Sequence, residues 1–339
     1  MRGAWGAGQS GWGIMRLKSA VLAVLALSAG AMAQLSAPAV HVSPRISNLL
    51  KKAEQGDAIA QFTLARDYQE GREVGQDYAE ALKWYQRASD RGEPASQCNL
   101  GRMYADGAGI ARDDATAVKW YMRSAVQQYP PGMTNLGYMY ATGRGIAQDY
   151  QAAVRWYRKA AEKDYAPAQS NLGYMYAQGW GVVQDDREAV RWYGKAAHRG
   201  FAPALDNLGE MKLHGRGVAQ DVAEAIRLFQ KAAALGSAGA ANNLGWCYEH
   251  GTGVALSLAE AVNWYRKAAE AGVAEAQYNL AILYLEGRGV AQSDSEAQAW
   301  FARAAQRGYR PAREPAAMAA NGTAHFDSNA DIQADFKGP

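Results

Sequence analysis

Leucine returns every 36 residues through most of this chain: Leu64, Leu100, Leu136, Leu172, Leu208, Leu244 and Leu280 hold one register without a slip. Tryptophan keeps the same step at Trp84, Trp120, Trp156, Trp192, Trp264 and Trp300, with Leu228 in the single gap. Glycine follows at Gly71, Gly107, Gly143, Gly179, Gly215, Gly251 and Gly287. A fixed period of this size constrains the fold more than any single motif, because one such unit is too small to bury its own apolar face and must stack on its neighbours. Seven units fill 57–308, so the 339 residues do not translate into two globular domains.

Each unit reads as two helices. In the first, Ala60, Leu64 and Tyr68 recur every four residues, and Gly71 stands where that helix must end. A turn follows, carrying Val74, a position that is Val or Ile in all seven copies. The second helix opens on Asp77, whose carboxylate can accept from the unpaired N–H groups of the first turn, with Glu80 three residues on as a capping box. Ala81, Trp84, Tyr85, Ala88 and Ser89 then lie on one stripe. Position 81 is alanine in every copy, as expected where a neighbouring helix comes too close for a larger side chain. Stacked pairs of this kind predict an all-α fold, an α-solenoid of seven helix-turn-helix repeats.

The ends leave the pattern. Met15-Arg16-Leu17-Lys18, the apolar run Ala20 to Ala29 and Ala31-Met32-Ala33 have the three parts of a secretory signal peptide. Residues 1–33 are therefore expected to be removed, with Met15 the better start, and the product to be periplasmic or secreted. The apolar run is too short for a membrane span, so no stable membrane anchor is expected. Residues 34–56 read as a linker and an N-terminal capping helix from Ile46, and 309–339 as a short cap and disordered tail. Lys plus Arg number 36 against 33 Asp plus Glu, and the three basic residues of 1–33 account for the whole excess. A neutral chain lacks the footprint of a nucleic-acid binder.

The pattern Ala166-Pro167-Ala168, Leu172-Gly173, Tyr176, Gly179-Trp180-Gly181-Val182, Asp185, Ala189, Trp192-Tyr193, Lys195-Ala196-Ala197 and Gly200 resembles the Sel-one-like repeat, a sibling of the tetratricopeptide repeats. The resemblance covers all seven units. It implies a right-handed superhelix that binds other proteins, often as a periplasmic or secreted adaptor. A cysteine-rich branch of that family is credited with β-lactam binding through paired cysteines in every repeat. Here Cys98 and Cys247 stand four units apart, too far for a disulfide, and that reading loses its main support.

Around the first helix, at about 100° per residue, positions 59, 63, 66 and 70 fall opposite the core arc. That stripe carries Asn99, Asn135, Asn171, Asn207, Asn243 and Asn279, with Thr63 in the first unit. It also carries Arg66, Arg102, Tyr138, Tyr174, Glu210 and Trp246 in successive units. In related tetratricopeptide domains the first helix lines the concave groove, and an asparagine before the Leu-Gly pair binds the backbone of an extended peptide. The amides here suit that task, being donor and acceptor at once; they would serve equally as an inter-repeat hydrogen-bond ladder. Tyr138, Tyr174 and Trp246 are harder to place in a core and are candidate ligand contacts. Trp180 replaces a loop arginine, and packing of the loop is its leading account.

Other constellations carry less. His214 and His250 are equivalent positions of adjacent units and stand too far apart to share a zinc ion. Met103, Met139, Met175, Met211 and Cys247 form a packing run. Arg87, Arg123, Lys159, Lys195, Lys231, Lys267 and Arg303 form a basic ridge on the second helix. A solvated face explains that ridge, and an acidic envelope polysaccharide is its functional alternative. No nucleophile with a base, carboxylate pair or phosphate loop stands out, and the Gly-Xaa-Gly turns read as helix ends. The expectation is an exported, non-catalytic, monomeric interaction scaffold without cofactor or metal. Its groove would hold a protein or peptide partner; envelope polysaccharide or peptidoglycan binding is the first rival and a hydrolytic or β-lactam-binding protein the second.

Overall fold

Seven helix pairs and one leading helix account for every regular element in residues 43–309, the part of the chain that the computed structural model describes. The expected signal peptide, linker 34–42 and tail 310–339 lie outside the described residues. The leading helix is α1 (Pro44–Glu54). The first helices of the seven units are α2 (Ala58–Glu70), α4 (Pro94–Asp106), α6 (Pro130–Thr142), α8 (Ala166–Gln178), α10 (Ala202–His214), α12 (Ala238–His250) and α14 (Ala274–Glu286). The second helices are α3 (Tyr78–Asp90), α5 (Asp114–Val126), α7 (Tyr150–Glu162), α9 (Asp186–His198), α11 (Val222–Ala234), α13 (Leu258–Glu270) and α15 (Asp294–Gln306).

Local chemistry fixes these boundaries. Every first helix ends on its glycine in the left-handed conformation, from Gly71 at φ 71° to Gly287 at φ 68°. Every second helix starts on Asp or Ser, whose side chain accepts from an N–H of the first turn. The reciprocal half of the capping box is absent. The Asp77 N–H donates to the Tyr68 carbonyl of the first helix at 2.9 Å, and the equivalent bond recurs in all seven units. Glu80, left free, pairs with Lys83, as Glu188 does with Arg191 and Glu224 with Arg227. The cap therefore also ties the two helices of a unit together.

The Gly-Xaa-Gly turns need a second correction. The first glycine ends the helix, but the second answers to the preceding unit. A β-carbon on Gly145, Gly181 or Gly217 would lie 2.2–2.4 Å from backbone atoms of Asp114, Tyr150 or Asp186, the first residue of the previous second helix. Unit one has only α1 before it, and there the same position is Glu73.

Neighbouring units share continuous cores. Leu64, Leu100, Leu136, Leu172, Leu244 and Leu280 are fully buried, as are the seven alanines from Ala81 to Ala297. At three of the six junctions the first helices touch, α4 with α6, α6 with α8 and α10 with α12, whereas no two second helices meet to a similar extent. The stack thus bends toward its first helices, which form the concave face. Between α5 and α7 the second helices leave a cleft of about 510 Å³, lined by Val126, Met133, Trp156 and Lys159 among others.

The leading helix seals the N-terminal end. Unit one carries Asp67 where later units have Met103, Met139, Met175, Met211 and Cys247, and Arg45 of α1 donates to that fully buried carboxylate at 2.7 Å. Removing the arginine strands a buried charge. Arg45→Ala is expected to destabilise the chain and to loosen unit one first, read as lost amide protection in α2 and α3.

Candidate functional site: the concave face

One helix position dominates this face. Residue 66 and its equivalents are exposed in units two to six, where Tyr138 (46% exposed), Tyr174 (42%) and Trp246 (39%) stand beside Arg102 and Glu210, whereas Arg66 is half-buried and Ile282 of the last unit packs against its core. Three aromatic rings left open on one side of a repeat stack are apolar area that the described residues do not bury. Trp246 is backed by His250, their rings stacked at 4.6 Å, and the His250 Nδ1 lies 2.9 Å from the Trp246 carbonyl.

The asparagines sit deeper. Each is only half exposed, and several reach back across the junction between units. The Asn99 amide donates to the Tyr85 hydroxyl at 3.0 Å, and that hydroxyl in turn donates to Gln69. Asn171 stands beside the Tyr157 hydroxyl across its own junction. The Asn135 amide approaches the Cys98 sulfur at 3.4 Å, and the Asn243 amide donates to both Asp206 and Glu210. Asn207 and Asn279 share the position. These four amides thus have inter-unit partners, while their half-exposed edges still face the groove. Their partners are what angular arithmetic missed. Cys98, Thr134, Ser170 and Asn242 lie about 160° from the core leucine, which reads as outward, yet the next first helix covers them. The signal was their small, mostly polar character just before the asparagine.

Trp180 has packing partners. Its ring stacks on Tyr150 at 5.0 Å and meets Tyr174 edge-on at 5.5 Å, while remaining 38% exposed. In the flanking junctions the same clasp is ionic. Arg144 donates to Asp114 and to the Ala105 carbonyl, and Arg216 to Asp186 and to the Ala177 carbonyl. Arg144 and Arg112 together hold the Asp114 carboxyl down at about 2.

The basic ridge is an aromatic contact. Arg87, Arg123, Lys159, Lys195, Lys267 and Arg303 each lie 4.1–4.7 Å from the ring centroid of the tryptophan three residues earlier. Lys231 alone has Leu228 beneath it. Cys98 and Cys247 are free and buried, and burial pushes both thiols up to about 11. Among the described residues no three His, Cys, Asp or Glu side chains converge as metal ligands, and no helix is long and apolar enough to cross a membrane.

Acidic groups gather at α10, α12 and α14. Asp206 accepts from Ser237 and Asn243 but is largely buried beside Glu210, and burial followed by that like charge lifts its carboxyl from 3.8 to about 6. Glu275 keeps an exposed face, yet the packing around it raises its carboxyl, with Asn242 beside it and Glu210 as a nearby like charge. The native state holds the Asp206 proton more firmly than the unfolded chain does, so its contribution is stabilising below about pH 4 and is lost as pH rises through 6. Asp206→Asn should therefore melt higher than the parent at pH 7.5, by an amount equivalent to about 3 kcal/mol at most, and the gap should narrow to about 1 kcal/mol at pH 4.5 and close only below about pH 3.8. Melting curves of both proteins across that range check it.

Comparison with known proteins places these features in a wider set. The Sel1 repeat model matches residues 58–93, 94–126, 130–165, 166–201, 202–237, 238–273 and 274–309. The crystal structure of c5321, a protective antigen of uropathogenic Escherichia coli displaying an SLR fold, is 38% identical over 80% of this chain, with a TM-score of 0.59. The chain spans 58% of that protein's length. A Sel1 repeat protein from Oxalobacter formigenes is 33% identical over 78% of this chain and 77% of its own, also with a TM-score of 0.59. No curated protein matches the chain.

Proposed function

Because the chain belongs to the Sel1 repeat family, whose members commonly serve as protein-interaction scaffolds, we propose that it is an exported binding scaffold whose concave face holds an extended peptide or surface element of a partner protein. The observation that carries this reading is the exposure of Tyr138, Tyr174 and Trp246 at one helix position on the face toward which the stack bends. Large rings in a shallow concave surface, presented by packed helices, lose little entropy on binding and are the commonest interface anchors. The half-buried asparagines between them add donors and acceptors suited to a peptide backbone. Sel1 repeat proteins are generally non-catalytic. Export rests on the Met15–Ala33 sequence and places the binding event in the envelope or outside the cell.

The test is a cross-linking pull-down from envelope extract with residues 34–339, run beside a Tyr138→Ala, Tyr174→Ala, Trp246→Ala variant whose circular dichroism matches the parent. A partner captured by the parent should be lost by the variant. Equal capture by both would move the site away from this stripe.

A further inference from the structure

The stripe changes character along its length. Arg66 and Arg102 occupy its first two units, the two tyrosines the next two, and Glu210 the fifth, with Asp206 one turn before it and Glu275 on α14. None of Asp206, Glu210 and Glu275 has a lysine or arginine within ion-pair distance among the described residues, nor does any cation figure in the surroundings that shift Asp206 or Glu275. Their placement is enforced. The Asn243 amide nitrogen lies 3.0 Å from Asp206 Oδ1 and 3.1 Å from Glu210 Oε1, drawing two like charges together that water would otherwise separate. Asn242 is 6% exposed and turned toward Glu275, and its Oδ1 has no partner. A buried amide oxygen without a donor, next to carboxylates without a cation, is an acceptor set that lacks its donor. One turn further along α12 stands the exposed indole of Trp246, which also attracts cations through its ring face.

We infer that units five to seven of the groove take a basic segment of the partner, with Arg or Lys side chains set among Asp206, Glu210 and Glu275 and beside Trp246. This rests on the groove reading above and names the chemistry of its occupant. A guanidinium or ammonium brings several N–H donors and a charge, so one side chain would satisfy the carboxylates, relieve their mutual repulsion and contact the indole. A neutral or acidic segment would leave the carboxylates uncompensated or add to their repulsion. The opposite end of the groove, with Arg66 and Arg102 in no ion pair among the described residues, would hold such a segment poorly, so the occupant enters with its basic part toward the C-terminal units.

Fluorescence anisotropy with the full chain tests it. The probes are a labelled decapeptide of alternating Arg and Ser and its counterpart with Glu in place of Arg. The basic peptide should bind and the acidic one should not. An Asp206→Asn, Glu210→Gln, Glu275→Gln variant should weaken the basic peptide roughly tenfold or more, while Arg66→Gln, Arg102→Gln leaves it unchanged or tighter. The first variant removes the charge of the largely buried Asp206 and its repulsion with the exposed Glu210, so it should fold at least as firmly as the parent, and melting curves check that. Equal binding of both peptides, or no loss on neutralising the three acids, would overturn the inference. Binding that appears only after residues 310–339 are deleted would make the chain's own tail, with Arg310 and Arg313, the occupant and overturn assignment to a partner. If neutralisation has no effect while the aromatic variant still loses its captured partner, the groove reading survives without its charge chemistry. If both variants behave as the parent, both readings fall.

Discussion

Replacing Gly217 by alanine should cost about 2–4 kcal/mol, far more than an alanine at another left-handed glycine of the same repeat. Gly217 sits at φ 65°, and a β-carbon there would lie 2.3 Å from the carbonyl carbon and oxygen of Asp186 and 2.7 Å from the Arg187 nitrogen. Those atoms are backbone at the start of α9, so they cannot swing aside as a side chain would. Relief requires the fourth and fifth units to separate, and with them the Arg216–Asp186 pair at 2.8 Å. Gly236 is the control. Its φ of 90° carries a similar conformational strain, but nothing lies within 4 Å of the added carbon, so Gly236→Ala should cost only about 1 kcal/mol. Urea unfolding of the two variants gives the difference, and hydrogen exchange should place the Gly217→Ala lesion at the junction of α9 with the turn after α10. Similar losses for both variants would mean that strain alone sets the requirement for glycine.

Trp192→Ala should cost about 3–5 kcal/mol, while Lys195→Ala costs no more than about 1 kcal/mol, and the two losses should not add. Trp192 is nearly buried and packs in the core formed with earlier units, whereas its neighbours Ala189 and Tyr193 pack in the following one, so the indole joins one core to the next. Lys195 Nζ lies 4.4 Å from its ring centroid and Arg191 4.6 Å, so removing the ring takes a packing surface from two cations as well as leaving a cavity. Unit five provides an internal comparison, for Lys231 has Leu228 below it and Lys231→Ala should be near neutral. A double-mutant cycle on Trp192 and Lys195 reads the coupling directly. A coupling of zero would return the ridge to a merely solvated face. A coupling near 1 kcal/mol that persists at high salt would mark it as a packing device, since contact between the lysine stem and the ring, unlike an exposed ion pair, does not depend on ionic strength.

The sequence alone determined the repeat, its period and the helix pair within it, because these depend on short-range chemistry. A glycine that ends a helix and an aspartate that starts one act on the residues beside them, and a stripe of Ala, Trp and Tyr fixes which side of a helix is buried. The same arithmetic placed Tyr138, Tyr174 and Trp246 outward, where they stand exposed. It could not say which outward arc the next unit would cover, since that depends on the curvature of the stack. Hence Cys98, Thr134, Ser170 and Asn242 looked like surface and are interior, and four of the asparagines have partners across a junction. The second glycine of each turn, the loss of the capping box to the Tyr68 carbonyl, and the gathering of Asp206, Glu210 and Glu275 were likewise decided by tertiary structure. Each arises where residues 30 or more apart, or two adjacent helices, are brought within a few ångströms, and periodicity along one chain carries no record of that distance.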